Sequence, residues 1–307
     1  MIEGGASSQK RCGFVALLGA PNAGKSTLLN ALVGSKLAIV TPKVQTTRAR
    51  LVGIALEAAS QLVFVDTPGI FAAKRRLERA MVAAAWSGAS DADLCVLLVD
   101  AQRPPAARGD DTEHIIEGLE REGRRAVLAL NKIDLVERRA LLPRVERLME
   151  SGVFSDTFMI SALAGDGVDD LRRHLADAVP LGPWLYPEDQ LADVPLRFLA
   201  AEVTREQLFL QLHQELPYAL TVEVEGWHEQ KDGSVRIEQV IYVTRQNHKG
   251  IVLGRGGSRI KAVGEAARRQ LEEAYERRVH LFLFVKVREN WLDDPERYQA
   301  MGLEFPE

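Results

Sequence analysis

The 307-residue chain has little with which to build a cross-linked or metal-stapled fold. Its two cysteines, Cys12 and Cys95, are far apart and form no CxxC spacing, and its six histidines form no HxxxH pair. A disulfide framework, a cysteine-based zinc site and a helical zinc site are excluded, and the cysteine usage suits a reducing cytosol. Aromatic residues are scarce at 6%, which leaves little for stacking. The longest apolar runs, such as Leu94–Val99, fall far short of the ~20 residues that span a bilayer. Met1–Lys10 lacks the apolar core of a signal peptide. A soluble, cytoplasmic protein is expected. What the chain does have is ordinary globular stock: 46% apolar, 27% charged and a net charge of −4. By length this gives about two domains, each able to bury its own core.

Residues 1–180 alternate short apolar runs with helical patterns. The runs Phe14–Leu18, Leu51–Leu56, Leu62–Asp66, Leu94–Asp100, Ala126–Asn131 and Thr157–Ile160 read as strands, several apolar on both faces. Too few residues separate the second from the third for a helix, so these two form a hairpin. The expected fold is an α/β doubly wound, mostly parallel sheet with one antiparallel edge. Four prolines between Val179 and Pro195 mark residues 181–195 as a linker. In 196–307 the order is helix-strand-strand-helix-helix-strand, an α+β domain, with a helix over Leu196–Leu216, strands over Leu220–Glu225, Val235–Thr244 and Val279–Val287, and a long helix over Arg259–Tyr275.

Chemistry concentrates in a few motifs. Gly19-Ala20-Pro21-Asn22-Ala23-Gly24-Lys25-Ser26 matches G-x-x-x-x-G-K-[ST] between a strand and the helix-like run from Thr27. Such a loop aims backbone N–H groups and a helix N-terminus at phosphates. Lys25 reaches the β- and γ-phosphates and the Ser26 hydroxyl ligates Mg2+. Asn131-Lys132-Ile133-Asp134 follows the strand that ends at Leu130. Asp134 there can accept two hydrogen bonds from guanine but none from adenine, while Asn131 and Lys132 line and cover the base. Asp66-Thr67-Pro68-Gly69 places a carboxylate near the Mg2+ and the Gly69 N–H near the γ-phosphate. In the polar loop Thr41–Arg48, Thr47 is the expected metal-ligating hydroxyl, with Thr46 the alternative. Ser161-Ala162-Leu163 offers backbone contacts to the base.

Taken together, these motifs resemble the GTPase superclass. The set GxPNxGKST, QTTR, DTPG, NKxD and SAL resembles the Era family of bacterial GTPases, almost from end to end. Lys25, Thr47 and Gly69 then act by electrostatics and positioning, because Ile70 and Phe71 stand where a switch GTPase carries a water-orienting glutamine. Slow intrinsic hydrolysis is expected, raised by a partner or a monovalent cation. In related GTPases an asparagine matching Asn22 helps bind K+; the alternative is that Asn22 caps its own loop. A P-loop kinase is disfavoured by NKID, and a degenerate nucleotide domain by intact Lys25 and Ser26.

In the second domain Gly254-Arg255-Gly256-Gly257 lies between two helical runs and resembles the loop of a type II KH domain, which clamps an RNA backbone. Lys249, Gly250, Gly254, Arg255, Gly256, Gly257, Arg259 and Lys261 are the expected RNA contacts. From Tyr242 to Arg269 seven basic residues face one acid, a cationic patch in an acidic chain. Ile251, Val252, Leu253 and Ile260 are either a floor for bases or core, and Arg288 and Trp291 either touch RNA or pack. The Era resemblance implies binding near the 3′ end of 16S ribosomal RNA, a role in 30S subunit assembly and a peripheral contact with the inner membrane, although no amphipathic anchor is visible. Nothing in the sequence suggests more than a monomer.

Overall fold

A computed structural model describes residues 9–43, 46–103, 111–213 and 216–306. Of the Thr41–Arg48 loop, residues 44 and 45 lie outside the described part, as do eight residues of the Met1–Lys10 stretch. The chain divides into two compact units: Met1–Ala38, Thr47–Asp193 and Met301–Glu307 form the first, Ile39–Thr46 and Val194–Ala300 the second.

The first unit is built on six strands: β1 (Arg11–Gly19), β2 (Leu51–Glu57), β3 (Ser60–Asp66), β4 (Leu94–Asp100), β5 (Ala126–Asn131) and β6 (Phe154–Met159), in the order β2-β3-β1-β4-β5-β6. Only β2 runs antiparallel, paired to β3 by the expected hairpin. The helices are α1 (Lys25–Val33), α2 (Arg76–Asp91), α3 (Asp111–Arg121), α4 (Leu141–Met149) and α5 (Val168–Ala178). Strand β3 is buried along its whole length and β1 along most of it, which explains their lack of apolar/polar alternation. Strand β1 has β3 on one side and β4 on the other, so the strand order reverses there. A crevice at the carboxyl ends of the strands is the consequence, and Gly19 sits at its floor.

The expected linker is bound along the first unit as far as Asp193. The Ile54 N–H donates to Leu191 O at 2.8 Å, and Asp193 N–H to Val52 O at 3.2 Å, so the segment covers the free edge of β2. Gln61 holds it too, accepting the N–H groups of Leu185 and Tyr186 through Oε1. Leu196 then opens the second unit: α6 (Leu196–Gln211), β7 (Leu220–Glu229), β8 (Val235–Val243), α7 (Gln246–Leu253), α8 (Ser258–Tyr275), β9 (Val279–Val287) and α9 (Pro295–Ala300). Strand β8 pairs antiparallel with β7 and parallel with β9. Its inward residues Val235, Ile237, Ile241 and Val243 are fully buried in clusters that include Leu208 of α6 and Ala267 and Leu271 of α8.

Helix α6 stops at Gln211, short of the expected Leu216. Leu212 is extended, and the carbonyls of Phe209 and Leu212 accept the Lys43 ammonium, the latter at 2.7 Å. A cation from the 39–46 segment thus terminates this helix, a favourable place for positive charge.

Candidate functional site

Four segments meet at the carboxyl ends of β1, β3 and β5. Gly24 precedes α1 with φ +102°, a left-handed conformation that glycine adopts cheaply. An added Cβ there would lie 2.3 Å from Asn131 Nδ2, so the position also needs the missing side chain. Asn131 is buried and its amide has a partner at each end: Nδ2 donates to Ala23 O at 2.8 Å and Oδ1 accepts the Ala162 N–H at 2.9 Å. This side chain ties the 19–26 loop to the 161–163 loop. Ser161 and Ala162 are buried, whereas Leu163 is 84% exposed.

Lys132 adopts φ +64°, and its ammonium pairs with Asp100 Oδ2 at 2.6 Å. Asp100 escaped the sequence reading, although its place at the carboxyl end of β4 was a signal available by the same rule that singled out Asp66. Asp134 is exposed and makes no hydrogen bond or ion pair among the described residues, leaving its carboxylate open to a ligand. Thr27 lies in the first turn of α1, beside Lys25 and Ser26.

Beneath the loop, three oxygen-bearing side chains converge. Ser26 Oγ lies 2.8 Å from Thr47 Oγ1 and donates to Asp66 Oδ2 at 2.9 Å; Thr47 Oγ1 donates to the same oxygen at 3.2 Å. Thr46 points elsewhere, donating to Lys43 O at 2.8 Å. Of the two threonines, Thr47 is the one brought to Ser26 and Asp66. Asp66 is fully buried, and its Oδ1 has no hydrogen-bond partner among the described residues. Burial raises its pKa, opposed by Lys25, Ser26 and Thr47. Lys25 donates to the carbonyls of Gly19 and Ala20 at 3.0 and 3.1 Å. Its burial lowers the ammonium pKa to about 8, with Asp66 pulling upward and Arg103 adding to the depression. Gly69 packs directly on the loop, since a Cβ there would stand 2.9 Å from Pro21 N. Ile70 is completely buried and donates its N–H to Gly19 O at 3.1 Å.

In the second unit α7 ends at Leu253, Gly254 to Gly257 all but Arg255 have positive φ, and α8 begins at Ser258. Lys249, Arg255 and Lys261 make no ion pair among the described residues, whereas Arg268 and Arg269 face Glu272 and Glu265. Arg259 spends Nη1 on Ile251 O at 2.7 Å, which closes the turn. Gly250 is exposed with open space around its Cα. Of the apolar set, Val252 is core, Leu253 and Ile260 pack against core, and Ile251 is 47% exposed. Trp291 is fully buried and donates to Ala219 O at 3.3 Å, and Arg288 pairs with Asp294 at 2.8 Å, so both are structural.

Comparison with known proteins agrees with both units. The family described as 50S ribosome-binding GTPase matches residues 14–132, and the KH domain family matches 215–292. GTPase Era of Brucella suis biovar 1 is 58% identical over 300 residues, 98% of this chain and 96% of that protein. GTPase Era of Rhizobium meliloti is 60% identical over 296 residues, 96% of this chain and 94% of its own length. Among solved structures, a variant of Aquifex aeolicus Era bound to GDP·AlF4− has a TM-score of 0.89 at 34% identity, covering 95% of this chain and 99% of the other. An Era in complex with MgGDPNP and nucleotides 1506–1542 of 16S ribosomal RNA reaches 0.90 at 34% identity with the same coverage. A phosphate-loop GTPase unit followed by a KH unit, matched along nearly its whole length by such relatives, makes this chain a member of the Era family of GTPases.

Proposed function

We propose that this GTPase is a switch whose nucleotide state governs binding of its second unit to the 3′ region of 16S ribosomal RNA, and that it serves assembly of the 30S subunit. The observation that carries the nucleotide half is the Ser26–Thr47–Asp66 cluster under the 19–26 loop. Two hydroxyls and a carboxylate are the hard oxygen donors Mg2+ prefers, and the unsatisfied Asp66 Oδ1 is an atom that such a cation, or a water on it, would satisfy. When bound, Mg2+ supplies charge compensation at the β- and γ-phosphates. The chain's own residues do the rest. The N-terminus of α1 and the loop N–H groups hold phosphate oxygens, Lys25 spans them, Gly69 N–H meets the γ-phosphate and Asp134 selects guanine.

Ile70, the residue after Gly69, is apolar and buried and does not orient the attacking water. Hydrolysis is then slow and rests on the electrostatics of the loop, with K+ beside Asn22 as an accelerating cation. Equal rates in K+ and Na+ at matched ionic strength would remove the K+ arm.

For the RNA half, support comes from the glycine turn between α7 and α8, from Lys249, Arg255 and Lys261, which have no ion pair among the described residues, and from the 16S RNA fragment bound by a relative of the same architecture. Coupling is supported by the division of the chain between Thr46 and Thr47. Thr47 serves the nucleotide cluster, and the preceding segment belongs to the second unit. The reading extends to a cytoplasmic monomer with a peripheral contact at the inner membrane as the family resemblance implies; separately, no described helix is long and apolar enough to cross a membrane.

The test is crosslinking to 16S RNA with a GTP analogue and with GDP, alongside Asp134→Asn. We expect stronger RNA protection in one state and a shift of Asp134→Asn toward xanthosine nucleotides. Identical crosslinks in both states would overturn the coupling, and unchanged GTP preference would overturn the base assignment.

A further inference from the structure

The inference concerns Arg103 and rests on reading residues 19–26 as the phosphate cradle. We propose that Arg103 is a positioning residue for GTP hydrolysis, holding the Pro21–Asn22 peptide in the orientation that turns the Asn22 N–H toward the phosphates.

Arg103 Nη2 donates to Pro21 O at 2.9 Å. The chain contains no cis peptide among the described residues, and in a trans peptide the carbonyl and the following N–H point in opposite directions. Holding the Pro21 carbonyl on the arginine therefore sends the Asn22 N–H to the opposite side of the loop. Asn22 has φ +64°, in the left-handed region, which asparagine tolerates better than other non-glycine residues but which is not its lowest-energy basin; a flip of this peptide would return it to negative φ while presenting a carbonyl oxygen to an anion. A guanidinium on the carbonyl opposes that flip.

The arginine is itself anchored. Its N–H donates to Asp100 O at 3.1 Å, its carbonyl accepts Arg144 Nη1 at 3.4 Å, and Asp100 carries the Lys132 ammonium on its side chain. Lys132, Asp100, Arg103 and Pro21 thus form one chain of contacts from the base-side motif to the phosphate loop. Pro21 is also the residue on which Gly69 packs. The charge of Arg103 is felt at the centre of the site, where it helps lower the Lys25 pKa after burial.

Why the effect falls on the chemical step follows from Ile70. With residue 70 unable to orient water, the rate leans on donors fixed in advance where charge develops. A loosely held N–H still contacts bound nucleotide but stabilises the transition state less, so kcat falls more than KM rises.

The experiment compares the full chain with Arg103→Ala and Arg103→Gln, by GTP turnover and by the Asn22 amide signal in 15N spectra of the GDP state. For Arg103→Ala we expect kcat about tenfold lower, KM within about threefold and a displaced Asn22 amide; a loss of this size is smaller than removal of a direct oxyanion donor causes. Arg103→Gln keeps a donor and recovers most of the rate and the amide position. Wild-type turnover in Arg103→Ala, or an equal rise of KM and fall of kcat/KM with kcat unchanged, overturns the proposal. If the alanine variant does not fold, Arg103→Met, which keeps the stem and removes the donor, decides: a roughly tenfold loss of kcat with a displaced Asn22 amide supports the proposal, and wild-type kcat with an unmoved amide overturns it. Calorimetry on the unmodified protein separates the premise: no heat with GTP would remove the cradle assignment itself.

Discussion

Asn131 Nδ2 donates to the carbonyl of Ala23 at 2.8 Å, so a side chain at the end of β5 fixes a backbone group of the phosphate loop 108 residues earlier. Its other end accepts the Ala162 N–H, and both partners are buried. Three motifs that are separate in sequence are one rigid object because of this amide.

Asn131→Ala leaves two buried backbone groups unpaired. We expect a loss of about 2 kcal/mol or more in unfolding free energy, on the scale of 1–3 per orphaned group, together with weakened GTP binding. Asn131→Asp keeps the acceptor for Ala162 but sets a carboxylate against the Ala23 carbonyl, so it does not rescue nucleotide affinity. Urea unfolding and calorimetry check both; a wild-type unfolding midpoint in the alanine variant contradicts the strut.

The depressed Lys25 pKa gives a pH signature. In the free protein this ammonium is half charged at about pH 8 and loses its charge above it. Bound phosphates favour the charged form, so binding raises the pKa and takes up a proton above that value. GTP affinity should be flat below pH 8 and then fall by up to about tenfold per unit as pH rises. Buffer-dependent binding enthalpy at pH 8.5 measures the uptake; its absence would place the lysine elsewhere. For stability the sign is the same as for any buried base: the group lowers stability while charged, and the penalty eases as pH climbs from about 8 toward the unfolded value near 10.4.

Thr46 and Thr47 are separable. Thr47→Ala removes a hydroxyl from the Ser26–Asp66 cluster and should raise the Mg2+ concentration needed for half-maximal hydrolysis by about tenfold or more, the scale of a lost charge-assisted hydrogen bond. Thr46→Ala removes only the bonds to Lys43 O and Thr41 Oγ1 and leaves that concentration unchanged. The titration of Mg2+ against turnover reads the difference, and equal shifts in the two variants would contradict the assignment.

Ile70→Gln tests the idea that a glutamine after Gly69 restores fast hydrolysis. The side chain is fully buried in the core of the first unit, beside Ala85, Leu97 and Ile115. A glutamine there buries an amide without partners at a cost of about 1–3 kcal/mol and does not reach the crevice. We expect a lower melting temperature and no faster turnover; a faster enzyme of unchanged stability would show that residue 70 swings outward.

Much of the site was legible in order and spacing. A glycine-rich loop after a buried strand, Asp66 and Asn131 at strand ends and a glycine turn between helices are local patterns, set by backbone and side-chain chemistry within a few residues. Contacts that depend on how the chain returns to itself were not. The two loop-bridging bonds of Asn131 left no trace in the sequence because their backbone partners lie far away along the chain. Asp100 and Arg103 carried no motif, and the end of α6 was misplaced because Lys43, a residue from the opposite end of the chain, terminates it.

By itself the sequence determined the alternation of buried strands and helices, the glycine-rich loop between β1 and α1, the carboxylates at strand ends and the second unit's order of elements along the chain, since each follows from periodicity or from a short motif. The tertiary structure alone decided which threonine joins Ser26 and Asp66, which apolar residues near the glycine turn are core, and where segments 39–46, 181–193 and 301–306 belong. Those outcomes rest on hydrogen bonds and burial between residues distant in the chain, and a linear pattern carries no record of which distant groups will meet.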